Sequence, residues 1–100
     1  MTITGPQCRA ARALVEISRD RLAQLSGIDA ATIEQFERKL GKPSDAMIEA
    51  LAEALGKAGA QFIPENGGGA GVRLKFSRSE TRRIANLENE GGPTASDDVP

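Results

Sequence analysis

Apolar residues recur along the first sixty positions at intervals of three and four, interrupted by residues that start and stop helices. This spacing predicts four helices. Thr4-Gly-Pro-Gln7 reads as a capping box: the Thr4 hydroxyl takes an unpaired backbone N–H and Gln7 reaches back to the chain. Pro6 stands in the first turn, where its missing N–H does no harm. A first helix follows to about Ile17, with Cys8, Ala11, Leu14 and Val15 at helical spacing. Ser18 opens a second over Arg19 to Ser26, and Gly27 closes it. Asp29 caps a third, from Ala30 to about Leu40, with Ile33, Phe36 and Leu40 on one face. Gly41-Lys-Pro43 breaks it. Ser44 caps a fourth, in which Met47, Ile48, Leu51, Ala52, Leu55 and Ala58 make an apolar stripe that Gly59 ends.

The period then changes from helical to alternating. Ala60 to Ile63 is a short strand candidate, and Val72 to Phe76 alternates apolar and basic residues. Pro64-Glu-Asn-Gly-Gly-Gly-Ala-Gly71 between them reads as a hairpin loop. A lone hairpin is barely stable in water. It is therefore expected to lie on the fourth helix and to help join two subunits, through Phe62, Ile63, Val72, Leu74 and Phe76. A short helix is expected over Glu80 to Glu88, and residues 91–100 read as a disordered tail. The predicted organisation is a helical domain over 1–59, a hairpin over 60–76, and a short helix and tail over 77–100.

Composition narrows the chemistry. The chain has 100 residues with three Phe and no Trp or Tyr, so its core is aliphatic. No run approaches the roughly 18 apolar residues that a membrane span needs, and the first residues do not resemble a secretory signal. A cytoplasmic location is the expectation. One cysteine, Cys8, excludes an internal disulfide and a cysteine metal cluster, and the absence of histidine excludes His catalysis and His-bound zinc. No catalytic residue, metal or cofactor is expected, so the chain does not read as an enzyme. Thirteen Lys and Arg against fourteen Asp and Glu give a net charge of −1. Any contact with nucleic acid must then use a local basic surface.

The informative segment is Arg19 to Leu40. Two short helices separated by Gly27 must cross closely, and small or apolar residues stand at the crossing: Ala23 in the first, Ile33 and Phe36 in the second. Leu22, Leu25 and Ile28 supply the rest of the seam. This is a helix-turn-helix pattern, in which the second helix is held where a DNA major groove can receive it.

Residues 8–59 resemble the Cro/XRE class of helix-turn-helix regulators, known from phage repressors and bacterial transcription factors. The resemblance rests on the stretch Ser18 to Ser44: Leu22-Ala23, Gly27 four residues after Ala23, Ile33-Glu34-Gln35-Phe36-Glu37, a following basic residue and a Pro-Ser helix start. It implies a mainly α fold, a compact lambda-repressor-like bundle of four to five helices followed here by the β-hairpin. It also implies a sequence-specific transcriptional regulator, a repressor, that binds palindromic double-stranded operator DNA as a homodimer through the major groove.

Position by position, the resemblance assigns Ala30, Ala31, Thr32 and Gln35 to base edges, with Gln35 suited to adenine and the Ala31 or Thr32 methyl to thymine. Arg9, Arg19, Arg38, Lys39 and Lys42 would grip phosphates, Arg19 with help from its helix N-terminus. Arg12 and Glu37 match positions that form a largely buried ion pair between the first helix and the recognition helix. Two departures stand out. Lys39 replaces the glycine common in relatives, so the recognition helix is expected to continue toward Gly41. That helix also begins with two alanines, which leaves readout to Gln35, Thr32 and DNA shape.

Blander readings stand beside these. The helices could form an apolar bundle with solvated charged faces, and Cys8 reads as a small core residue. Gly67–Gly71 lacks the spacing of a phosphate loop. Arg73 and Lys75 read as exposed strand cations that discourage aggregation. Glu34 reads equally as a cytosine contact or a solvated residue, and Arg82-Arg83 as solvated. The alternative function is a protein-interaction module on the same fold, of antiactivator or antitoxin-like type, with a protein partner and little DNA binding.

Overall fold

The computed structural model describes residues 2–75. Four helices, α1 (Gly5–Val15), α2 (Arg19–Ser26), α3 (Ala30–Glu37) and α4 (Asp45–Lys57), precede an antiparallel hairpin of β1 (Ala60–Ile63) and β2 (Gly71–Leu74). The mainly α bundle with a terminal hairpin is the fold that the pattern predicts. Phe76, the helix expected over Glu80 to Glu88 and the tail over 91–100 lie outside the described residues.

Each helix starts where a side-chain oxygen takes a backbone N–H that has no partner inside the helix. Ser18, Asp29 and Ser44 accept from Arg21, Thr32 and Met47. Thr4 and Gln7 form the full box: the Gln7 N–H donates to Thr4 Oγ1 at 3.1 Å, and the Thr4 N–H donates to Gln7 Oε1 at 2.9 Å.

Helix ends depart from expectation at two points, for one reason. α1 stops at Val15 rather than near Ile17, and α3 stops at Glu37 rather than near Leu40. Glu16 and Lys39 adopt left-handed backbone, with φ of 60° and 62°. In each case the next two N–H groups fold back. Glu16 donates to the Ala13 carbonyl and Ile17 to that of Arg12; Lys39 donates to Phe36 and Leu40 to Gln35. This is the six-to-one and five-to-two pattern that glycine usually closes. Here charged residues close it. As a result Leu40, expected on the buried face of α3, is instead 68% exposed.

One core unites bundle and hairpin. Leu22, Ile33, Ile48, Leu51 and Leu55 are its largest fully buried side chains, joined by Cys8, Ala11, Phe36, Ala60 and Phe62. Ile3, ahead of α1, belongs to it as well. Leu14, Leu25 and Met47 keep substantial exposure and lie at the edge of the faces predicted for them. Gly5 allows α1 to touch the end of α3: a Cβ there would collide with the Phe36 carbonyl.

The hairpin packs on α1 with both strands, and on α4 through β1. Gln7 fixes it in place, since its side-chain amide donates to the Gly71 carbonyl at 2.8 Å and to that of Ile63 at 3.4 Å. These two residues face each other across the ladder. Phe62 is only 9% exposed, Val72 packs against the core, and Ile63 and Leu74 are half-buried. The hairpin thus lies on the helices. Its own chain covers its apolar face, and α1 shares that task with the expected α4.

A buried carboxylate ties three helices together. Glu37 accepts from Arg12 Nε at 2.7 Å and Nη2 at 2.8 Å, from Arg19 Nε at 3.3 Å, and from the Cys8 thiol at 3.3 Å. Arg12 also donates to the Ile17 carbonyl, holding the end of α1. Burial by itself pushes the Glu37 carboxyl up. The Arg12 fork, with Cys8 and Arg19 behind it, overrides burial and holds it below the usual carboxylate range. The same burial, with the Glu37 charge beside it, pushes the Cys8 thiol far above an ordinary thiol, so Cys8 is an inert core donor.

Three predictions follow from this packing. Because the folded Glu37 holds its proton less tightly than the unfolded one, its contribution is complete above the ordinary carboxylate pKa, about 4.3, and fades as pH falls through the folded value. Glu37→Gln should destabilise the domain by about 3 kcal/mol near neutral pH, and calorimetry from pH 7 to pH 3 should show the gap to wild type narrowing on the acid side. A constant gap would remove the charge from the explanation. Gly5→Ala should cost about 2 kcal/mol through overpacking, read as a lower urea midpoint. Lys39→Gly should add about 1 kcal/mol by relieving left-handed backbone; an unchanged or lower melting temperature would contradict it.

Candidate nucleic-acid interface

The turn between α2 and α3 is three residues, Gly27-Ile28-Asp29. Gly27 has φ of 80° and donates its N–H to the Ala23 carbonyl at 2.9 Å, a left-handed stop that a side chain would strain. Ser26 Oγ then accepts the Ile28 N–H, and Asp29 begins the next helix. α2 and α3 pack directly on each other, and Ala23 lies half-buried against the core between them. Five of the six residues predicted for the seam are inside or lean on the core: Leu22, Ala23, Ile28, Ile33 and Phe36. Leu25 is 44% exposed and stands outside it.

Inward-facing Ile33, Phe36 and Glu37 anchor α3, and this determines its outer face. Ala31, Gln35 and Arg38, at spacings of four and three, are exposed, while Ala30, Thr32 and Glu34 are half-buried. The four residues expected to meet base edges are therefore on one short helix, two of them fully on its solvent side. Thr32 is oriented: its hydroxyl donates to Asp29 Oδ1 at 2.7 Å while its N–H donates to Oδ2 at 3.1 Å. The hydroxyl bond, followed by the backbone bond, keeps the Asp29 carboxyl below its usual range. Gln35 lies beside Gly41, where its side chain would crowd any added Cβ, and its carbonyl receives the N–H groups of Leu40 and Gly41.

Cations on several elements gather toward the C-terminal end of this helix. Arg9 is exposed on α1, Arg38 and Lys39 follow the last residue of α3, and Lys42 is exposed in the connection to α4. Arg19, the first residue of α2, is half-exposed and keeps its Nε on Glu37. Arg38 pairs with Glu34 at 3.1 Å, an exposed contact one helical turn apart that is worth little in water. Pro6, Arg9, Ala10, Ala13 and Glu37 line an open groove of about 350 Å³.

Two features of this region were not legible from sequence. Nothing local in Arg19 signals that a carboxylate eighteen residues away will orient it. Nor does Gly5 announce that it brings α1 against the end of α3. Both depend on how the helices cross. Among the described residues no group of His, Cys, Asp and Glu could hold a metal ion, and no helix is long and apolar enough to cross a membrane.

A comparison with curated proteins found no match. A family model for the helix-turn-helix, of the Cro/C1/XRE type, matches residues 9–62, from the second turn of α1 to the middle of β1. With the three-residue turn, the half-buried alanine and the outward face of α3 in place, the chain belongs to the Cro/C1/XRE-type helix-turn-helix family of DNA-binding regulators.

Proposed function

We propose that this protein is a transcriptional repressor that binds a palindromic operator as a homodimer, each protomer placing α3 in a major groove. The observation that carries the reading is the outer face of α3, with Ala31 and Gln35 exposed, Thr32 half-buried beside them, and cations gathered at the C-terminal end of the helix. With its hydroxyl engaged by Asp29, Thr32 offers its methyl to a thymine, as Ala31 does. Gln35 swings off Gly41 to place its amide on an adenine edge. Ala30 approaches the backbone closely enough for shape to count. Arg9, Arg19, Lys39 and Lys42 contact phosphates, and Arg38 exchanges Glu34 for a phosphate at little loss, since their pairing is exposed. The open groove beside Arg9 leaves room for the DNA backbone to come close.

The second reading, a protein-interaction module, draws on a different observation. Two of the proposed phosphate contacts, Arg19 and Arg38, are already engaged by carboxylates, and Asp20 and Asp29 are exposed nearby. The two readings differ in salt dependence and in partner.

Selection of genomic fragments followed by anisotropy titration tests the proposal. The wild type should prefer a short palindromic site, with affinity falling steeply as salt rises. Gln35→Ala with Arg38→Ala should abolish that preference. Lys42→Ala should weaken all sequences alike and reduce the salt slope by about 1. Transcription from the preferred fragment should fall when the protein is added. Absence of preference for any fragment, with recovery of a stoichiometric protein partner, would decide for the second reading.

A further inference from the structure

Asn66 is exposed in the loop that joins β1 to β2, and Gly67 follows it, the one Asn-Gly pair in the chain. An asparagine loses its amide when the next backbone nitrogen attacks its Cγ, because the ring so closed has five members. The attack is slowed by a side chain that shields the nitrogen, by a nitrogen that keeps its proton, and by an amide carbonyl with no donor to take its growing charge. Each of these obstacles is reduced here. Gly67 has no side chain, and the space beside its Cα is open. Its N–H donates to Glu65 Oε2 at 3.1 Å, within the reach that a general base needs. The Gly68 N–H donates to Asn66 Oδ1 at 3.3 Å, so a donor already faces the oxygen on which charge develops. Gly69 donates to the same Glu65 oxygen at 3.1 Å and keeps the carboxylate over the loop. Glu65, Asn66 and the three glycines are all exposed, so water reaches them.

We propose that Asn66 is a site of self-catalysed deamidation, with the Gly67 nitrogen as nucleophile, Glu65 as general base and the Gly68 N–H as oxyanion donor. The bond that forms joins the Gly67 nitrogen to Asn66 Cγ. The Gly67 proton passes to Glu65 and from it to Asn66 Nδ2, whose bond to Cγ breaks as ammonia leaves. Water then opens the succinimide at either carbonyl, leaving aspartate or isoaspartate with no change of oxidation state. Either product sets a new negative charge beside Glu65, and isoaspartate also lengthens the main chain by one carbon. Both changes act three residues from Ile63, at the end of the ladder that Gln7 clamps to α1. The modification therefore weakens the hold of the hairpin on α1 as the chain ages. None of this depends on whether the protein binds DNA.

Incubation of the full chain near neutral pH, followed by peptide mapping with mass detection, reads the reaction. Peptides that carry residue 66 should gain the mass of an amide-to-acid exchange and separate into aspartate and isoaspartate forms. Asn86 and Asn89, followed by Leu and Glu, are references within the same chain and should lag far behind. Glu65→Gln keeps an oxygen that can accept the Gly67 N–H but removes the base, and should slow the reaction at least about tenfold. Unfolding in urea, which keeps the Asn-Gly pair and dissolves the loop geometry, should slow it too. Backbone amides of β2 should exchange faster in the modified chain than in the fresh one. Asn66 that stays intact in the folded chain overturns the proposal. So does a Glu65→Gln chain, or an unfolded chain, that reacts as fast as the folded wild type. Unchanged exchange along β2 overturns the link to α1.

Discussion

A carboxylate inside a protein must either lose its charge or be surrounded by donors, and the architecture of this domain follows from how Glu37 meets that demand. It ends α3, yet its partners come from α1 and the first residue of α2. The fork from Arg12 fixes distance and angle together, because a guanidinium meets a carboxylate edge-on through two parallel bonds. Three helices that share mainly small and aliphatic contacts thereby acquire a directional joint. The joint and the close approach at Gly5 act on neighbouring points of the same helix end. Together they fix the pitch at which the outer face of α3 leaves the bundle.

Charge is distributed in keeping with this arrangement. The chain as a whole is nearly neutral, so attraction to a polyanion cannot come from its long-range field. On the proposed reading it comes from cations held in place near α3. The Arg19 side chain is held by Glu37 and that of Arg38 by Glu34. Positioned cations lose less side-chain entropy on binding than free ones do, which offsets part of what a weak global field withholds.

Much of the fold was legible in the sequence because its signals are local. Ser18, Asp29 and Ser44 each act within three residues, and the box at Thr4 and Gln7 works the same way. The helical period identified most of the core on that basis. It misled at Leu40, because extrapolating the period past Glu37 ignores the reversal at Lys39, where a lysine does what glycine ordinarily does. The hairpin residues were recognised as apolar, but which surface would cover them depends on Gln7, fifty-six residues from one partner and sixty-four from the other. The outward residues of α3 were identifiable through the family resemblance, whereas the bonds that orient Thr32 and Arg19 emerge only once the helices are assembled.

The family match begins at Arg9, inside α1, and ends at Phe62, before β2. What lies just outside those limits is not ornament: Ile3 fills the core, Gln7 bridges helix cap and strand ends, and β2 supplies the other half of the ladder. A peptide trimmed to the shared motif would carry every residue that defines the family and lack the clasp by which the segments on either side of the motif close over it. Kinship and autonomous folding therefore have different boundaries in this molecule, and the second is wider.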